Sequence, residues 1–476
     1  MKINRKIFLK VAGLGAAGMI VRPGETAAAS MSAAPVQGNH VQKFNMHGFG
    51  APKLDRVRVG FIGIGNRGSG TVTRFARIEG VEIKALCDLV PNRVNRVANS
   101  IKKYSHNPVL YTDGEDAWKK LCERDDIDLV VVSTPWHLHA PQSAYAMECG
   151  KHAALEIPGV KTIEECWQLV ETSERTRKHC MLLANSALGD FNLLVLNMAR
   201  KGFFGEIVHG EGAYIHDRAT LNSQWKRDIN NEGWFLYRPW RLKENISRNG
   251  NLYAAHGLGT VCQVMDLNYG DKMEYMVSMS GNDFTLGPKM KEMAGIDNFY
   301  EPYTGLKFRG NMNTSIIRTY KGRTIMLQHD ISTVRPGVRF NMISGTKGIA
   351  QQTPEPAKIA TGHEWLPDAE YKALEEKYRP EILKRVGDLA KQLGGHGGVD
   401  SLLAWRIIDC LRNGLPAEVD VYDVALWSSI CPLSEWSVTN RSNSVTIPDF
   451  TSGAWKTNER GMDINLEKGG GNTKFI

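Results

Sequence analysis

A tyrosine and a histidine stand three residues apart in the stretch RNGNLYAAHGLG, from Arg248 to Gly259. An imidazole near its natural pKa moves protons both ways at neutral pH, so His256 is the first candidate for acid–base chemistry. Tyr253 is placed to share a proton with it or to hold a substrate. His256 is expected to start a helix whose Leu258, Val261, Cys262 and Met265 form an apolar face, anchoring the helix while its first turn looks into a cleft. Tyr214, closing the strand-like run GEIVHGEGAYIHD, is a further acid or orienting group, and Arg241, beside Trp240, can fork onto an oxygen.

A second constellation precedes it. Gly63-Ile64-Gly65-Asn66-Arg67-Gly68 is a GxGxxG directly after the apolar run RVRVGFIGIG, and Asp88 closes the next apolar run 20 residues beyond Gly68. Strand, glycine turn, helix and acidic residue in that order make the dinucleotide fingerprint. The glycines let backbone approach a pyrophosphate, and the helix N-terminus offers it N–H donors. A carboxylate at Asp88 accepts from ribose hydroxyls and repels a 2′-phosphate, which favours NAD over NADP. The polar residues closing successive strands are Asp88, Thr134 to His139 (TPWHLH), Glu156 and Asn185. Carboxyl-end loops of an open parallel sheet converge, so these side chains should line one groove.

The elements that must position these groups change texture near Asn185. From Val57, strands VEIKALCD, IDLVVVSTP, HAALEIP and HCMLLAN alternate with helices expected near 70–79, 142–149 and 163–176. Regular βα alternation predicts an N-terminal Rossmann, doubly wound parallel sheet. Beyond it, a helix near 193–200 leads into runs alternating apolar with polar residues, followed by helices near 371–393, 401–412 and 422–430. That pattern predicts a C-terminal α+β domain with an open, largely antiparallel sheet. The resulting division is a signal over residues 1–29, a flexible lead-in over 30–55, a cofactor domain over 56–185, a substrate domain over 186–455 and a loose tail over 456–476.

Composition narrows the classes. The chain has 476 residues, a formal charge of +8 spread without runs, and eight dispersed cysteines with no CxxC pair. Neither a nucleic-acid surface nor a metal site is indicated, and the thiols are expected to be free and buried. Asn4-Arg5-Lys6-Ile7-Phe8-Leu9-Lys10, then VAGLGAAGMIV and Ala27-Ala28-Ala29, reads as a twin-arginine-like or an ordinary secretory signal. Its apolar run is too short to span a bilayer, so an exported, periplasmic protein without a stable membrane span is expected, starting near Ser30.

The fingerprint, Asp88, the TPWHLH loop and the LEIP stretch resemble the Gfo/Idh/MocA oxidoreductase superfamily. GEGAYIHD, PWRL, RNGNLY-x-x-HGLG, MNTSIIRTYKGRTI, GTKG, HGGVDSL, CLRNG and RSNSVTIPDF resemble glycoside hydrolase family 109, NAD-dependent α-N-acetylgalactosaminidases, over about Val57 to Trp455. The resemblance implies NAD contacts by Asn66, Arg67, Asp88, Trp136, His137, Leu138, His139, Glu156, Ile157 and Asn185. It implies sugar contacts by Tyr214, Arg241, Tyr253, Ala254, Ala255 and His256. Most of the superfamily has Glu-Lys-Pro where this chain has Glu156-Ile157-Pro158, and family 109 similarly carries an apolar residue there. Departures from the family pattern are Ala254-Ala255 for Pro-Thr, Gly337 for a tyrosine, and Leu188 in Ala184-Asn185-Ser186-Ala187-Leu188 for another tyrosine.

The implied chemistry is hydrolysis of an α-N-acetylgalactosaminide-like glycoside by transient oxidation at C3, elimination, water addition and re-reduction, with NAD held tightly and recycled. Such a cycle needs bases at the C3 hydroxyl and at C2 and an acid for the leaving oxygen; His256, Tyr253 and Tyr214 are the first candidates and His396 of GGHGGVD a second. Free NAD is scarce outside the cytoplasm, which agrees with a cofactor carried inside a folded exported protein. The alternatives are a sugar oxidoreductase that makes 3-keto sugars or couples two sugars on one cofactor, and a glycan-binding protein without catalysis. A homodimer through the outer face of the second sheet is expected from the superfamily resemblance.

Overall fold

The computed structural model describes residues 40–217, 239–246 and 248–476; the signal over 1–29 and the start of the lead-in lie outside the described residues. Strands β1 (Val57–Ile62), β2 (Val81–Cys87), β3 (Val109–Tyr111), β4 (Leu129–Val132), β5 (His152–Leu155) and β6 (Cys180–Leu182) pair in parallel in the order β3-β2-β1-β4-β5-β6. β4 is buried along its whole length, as expected for a strand covered by helices on both faces. The strand order reverses between β1 and β4, and a crevice at the carboxyl ends opens there.

The first helix, Asn66–Phe75, begins four residues before the expected Gly70. It can start inside the glycine motif because Gly68 packs against the turn: a Cβ there would lie 1.9 Å from the Gly63 carbonyl oxygen. Helix Ile163–Thr176 matches its expected span and starts in a capping box formed by Thr162 and Glu165.

A second sheet contains β7 (Ile207–Ile215), β8 (Met273–Ser280), β9 (Asn313–Thr319), β10 (Thr324–Asp330), β11 (Met342–Gly345), β12 (Ile349–Gln351), β13 (Lys358–Ala360) and β14 (Val445–Thr446), in the order β13-β12-β11-β7-β10-β9-β8-β14. Its pairs are antiparallel except β7 with β10, which run parallel and bring His329 beside Tyr214. Ile317, Ile325, Leu327 and Ile343 face inward under helices Ala255–Val264 and Val421–Thr439; Tyr275, Met279 and Ile316 are exposed on the other face.

Three expectations need correction. The helix expected over 371–393 is broken into Asp368–Tyr378, a π-helical turn Leu383–Gly387 and Asp388–Leu393. Arg379 precedes Pro380, and the proline ring disfavours helical backbone before it. The last long helix runs on to Thr439, past the expected end at Ile430 and through Pro432. The described part of the lead-in and the tail are docked, not loose. Gln42 donates to the Tyr422 hydroxyl, Met46 is buried, and His47 bridges Asp420 and the Glu459 carbonyl. Met462 and Ile464 are buried, Trp405 donates to the Thr473 carbonyl, and Phe475 pairs with Ile78. Among the described residues no helix is long and apolar enough to cross a membrane, and no His, Cys, Asp and Glu cluster is arranged to hold a metal.

Candidate active site

The crevice is built by three glycines with three different jobs. Gly63 turns with φ +89°, where a Cβ would strike the Ser133 backbone at 2.7 Å. Gly68 allows the helix to approach the turn. Gly65 is different: its Cβ direction is open, with Arg93 the nearest group at 3.9 Å. A backbone surface left clear at a helix N-terminus without a side-chain cap fits a pyrophosphate. Asp88 stands next to it, accepting from the backbone N–H of Ile64 at 2.7 Å and of Val90 at 2.9 Å. These residues therefore fit NAD.

Across the crevice a buried bracket joins four segments. Arg67 donates Nε to Glu156 at 2.7 Å and both Nη atoms to Asp400 at 2.7 and 2.9 Å. Asp400 also accepts from Asn185 at 2.7 Å and is paired with His396 Nδ1 at 2.8 Å and Arg74 at 3.3 Å. Burial opposes the Asp400 charge, but the His396 hydrogen bond and the guanidinium groups outweigh it and hold the carboxyl far below the usual range. Burial pushes the Glu156 carboxyl up, against the pull of Arg67. Asp400 was missed in the sequence; the available signal was a carboxylate four residues after His396 at a helix start.

His396 itself sits in a loop in which Gly394, Gly395, His396, Gly397 and Gly398 all have positive φ. Only glycine adopts that region without penalty, and the histidine costs on the order of 1 kcal/mol there. The Asp400 contact offsets it, leaving the ring more than half exposed with its Nδ1 side fixed.

The sugar-side candidates converge on one spot. Tyr214 on β7 lies 4.6 Å from Tyr253 and 4.7 Å from His256, ring centre to ring centre, and Tyr253 lies 5.0 Å from His256. Glycines make that convergence possible: a Cβ on Gly212 would come within 2.1 Å of the Gly257 carbonyl oxygen, so β7 and the His256 helix touch backbone to backbone. Trp136 joins from the cofactor side at 5.6 Å from Tyr253 and 5.2 Å from Trp240. Arg241 stacks over both indoles and hydrogen-bonds Tyr253. Arg339 lies over Tyr214, and His216 abuts the Gly337 backbone, where a Cβ would lie 2.8 Å from its ring.

His256 is buried, its Nδ1 has no hydrogen-bond partner, and burial lowers its pKa well below 6.5, with Arg339, Arg67, His216 and His396 acting in the same direction. It is a neutral imidazole able to accept a proton. Burial raises the Tyr253 phenol, and Arg241 counteracts it.

Other expected contacts are placed elsewhere. Ala254 and Ala255 are buried in the core, so their side chains present no surface to a sugar. Ile157 and Leu188 are core residues as well. His139 is buried with Nδ1 2.8 Å from the Gly159 carbonyl and Nε2 2.8 Å from the Thr134 carbonyl; a neutral ring donates to one of the two, and both nitrogens face protein backbone. His137 is exposed and Leu138 half-buried on the same loop.

The fold and this crevice define an enzyme built on the NAD-binding oxidoreductase plan. Residues 57–184 match the oxidoreductase family with an NAD-binding Rossmann fold, and residues 190–457 match the C-terminal domain of glycosyl hydrolase 109. A glycosyl hydrolase family 109 protein of Shewanella pealeana is 44% identical over 464 residues, covering 96% of this chain and 98% of its own. Among solved structures, an NAD binding oxidoreductase from Klebsiella pneumoniae aligns with a TM-score of 0.61 at 16% identity, over 83% of this chain and 100% of that one. Levoglucosan dehydrogenase in complex with NADH and levoglucosan aligns at 0.60 and 17%, with the same coverage; both show the fold. The chain belongs to glycosyl hydrolase family 109. It is an enzyme of the glycoside hydrolase or sugar dehydrogenase class.

Proposed function

We propose that the protein is an exported glycosidase that hydrolyses α-N-acetylgalactosaminide-like glycosides through transient oxidation at C3, elimination, addition of water and re-reduction. NAD, when bound, supplies the acceptor and later the donor of the C3 hydrogen and its electron pair, so no net redox change results. The observation that carries the reading is the convergence of Tyr214, Tyr253 and His256 beside a crevice suited to a dinucleotide.

The chain's own groups divide the proton work. Position 157 is a core isoleucine and holds no proton, so neutral His256, backed by Tyr253, accepts from the C3 hydroxyl and gives the proton back. Arg241, fixed on Trp136 and Trp240, and Tyr214 orient the sugar. His396 is a more than half exposed imidazole with its ring set by Asp400; its Nε2 takes the proton lost from C2 and delivers it to the leaving oxygen. Glu156 and Arg67 neutralise each other beside the cofactor position. The exposed Tyr275, Met279 and Ile316 of the second sheet form the surface for a homodimer.

The test is incubation of the purified protein with a nitrophenyl glycoside panel and no added NAD. Release of phenol with an unoxidised sugar, and NAD among the nucleotides freed on denaturation, support the reading. A substrate deuterated at C3 should turn over more slowly; equal rates, together with cleavage of a 3-deoxy analogue, overturn it. An accumulating keto sugar supports the second reading, a sugar oxidoreductase, favoured by the dehydrogenase fold.

A further inference from the structure

The segment that carries Trp240, Arg241, Tyr253 and His256 is fastened by four alternating charges. Lys161 donates Nζ to Glu244 at 2.7 Å; the other Glu244 oxygen accepts from Arg248 at 2.6 Å; Arg248 donates to Glu435 at 2.6 and 3.1 Å and to the Cys431 sulfur at 3.1 Å. Each end is rigid. Lys161 follows the Glu156-Ile157-Pro158 turn, and its backbone N–H donates to Glu165 in the capping box of the next helix. Cys431 and Glu435 lie one turn apart on the buried helix Val421–Thr439.

Glu244 is 8% exposed, so this is no surface ion pair. Exposed pairs contribute little, whereas removing one member of a buried, hydrogen-bonded chain strands its partners. The chain is balanced, two cations against two carboxylates. It holds the end of the short helix Pro239–Glu244, and Leu242 anchors the same helix in a small separate cluster with Leu286 and Met290. Arg241 stands three residues before Glu244, and its contacts run to Trp136 and Tyr253.

We infer that Glu244 is a positioning residue for substrate: its contact with Lys161 fixes the Trp240 and Arg241 pair against the cofactor domain and so sets sugar affinity. This rests on the sugar-side role proposed above for Arg241. Lys161 and Glu244 touch neither the crevice glycines nor His256, and they act through the helix between them. Affinity should therefore change without loss of the bound nucleotide.

The experiment is a double-mutant cycle with Lys161→Met and Glu244→Gln in the full chain. Each single change should raise KM for the best nitrophenyl glycoside roughly 10-fold, the scale of a lost buried charge-assisted hydrogen bond, with kcat within about 2-fold and nucleotide content unchanged. The double variant should be no worse than either single one. Additive effects, or a fall in melting temperature with KM unmoved, overturn the inference. If no glycoside is turned over, hydrogen exchange over 239–253 decides: faster exchange in both single variants supports the strap independently of the reaction, and unchanged exchange overturns it.

Discussion

At the scale of single residues the site separates groups that do chemistry from groups that make room. Gly65 and Gly68 stand three apart in one motif, yet their substitutions should differ. Gly65→Ala places a methyl in open crevice: the protein should fold with an unchanged melting temperature and purify with less nucleotide. Gly68→Ala drives a methyl into the Gly63 carbonyl and should destabilise by about 1–3 kcal/mol, seen as a shifted urea midpoint. His256→Ala should cost on the order of 10²- to 10⁴-fold in kcat with the nucleotide retained, measured at saturating glycoside. Asp400→Asn keeps the shape and removes the charge facing Arg67, Arg74 and His396; activity should fall at least about 10-fold through the loosened bracket, and Asp400→Glu should not restore it. The glycine motif, Asp88, Tyr253 and His256 were readable from type and spacing, because each announces a local geometry. Asp400 was not, since its partners Arg67 and Asn185 lie hundreds of residues away in sequence, and neither periodicity nor motif predicts which buried carboxylate will be the hub.

At the scale of elements, the strands of the first domain were legible as apolar runs because both their faces are covered, and helix Ile163–Thr176 because a capping box marks its start. The second sheet was legible through alternation, but not its one parallel pair, β7 with β10, which depends on how the intervening chain returns. That pair matters, because it sets His329 against Tyr214 at 6.1 Å. The crossing of β7 by the His256 helix is equally specific. Gly212→Ala should push the helix off the strand and lower stability by about 2–3 kcal/mol, together with kcat, whereas a change at exposed Val208 on the same strand should do neither. The described part of the lead-in, from residue 40, and the tail were misread because polar, glycine-rich composition looks the same whether a segment waves in solvent or lies in a groove made by distant helices.

At the scale of the whole molecule, several histidines are buried as neutral rings. Burial takes His139 and His179 down to about 4, and His152, His256 and His329 are lowered as well. Folded pKa values below the unfolded value mean that the unfolded chain binds protons the native state refuses, so this stability is complete above about 6.5 and drains away as pH falls toward 4. His139 and His179 would each withdraw about 3 kcal/mol across that window. Melting temperature should drop steeply between pH 6.5 and 4.5 in a thermal scan, and a flat profile would contradict the burial of these rings. A different long-range feature is the pairing of residues 474–476 with Arg77, Ile78 and Glu79: Glu79 donates to the Lys474 carbonyl and Ile476 to that of Arg77. Both family matches stop short of that contact, at residues 184 and 457. A fragment ending at residue 457 would keep every motif, and one ending at residue 184 the whole glycine fingerprint, yet each would leave the backbone beside Arg77 to Glu79 unsealed, so the nucleotide module should aggregate when expressed without residues 474–476.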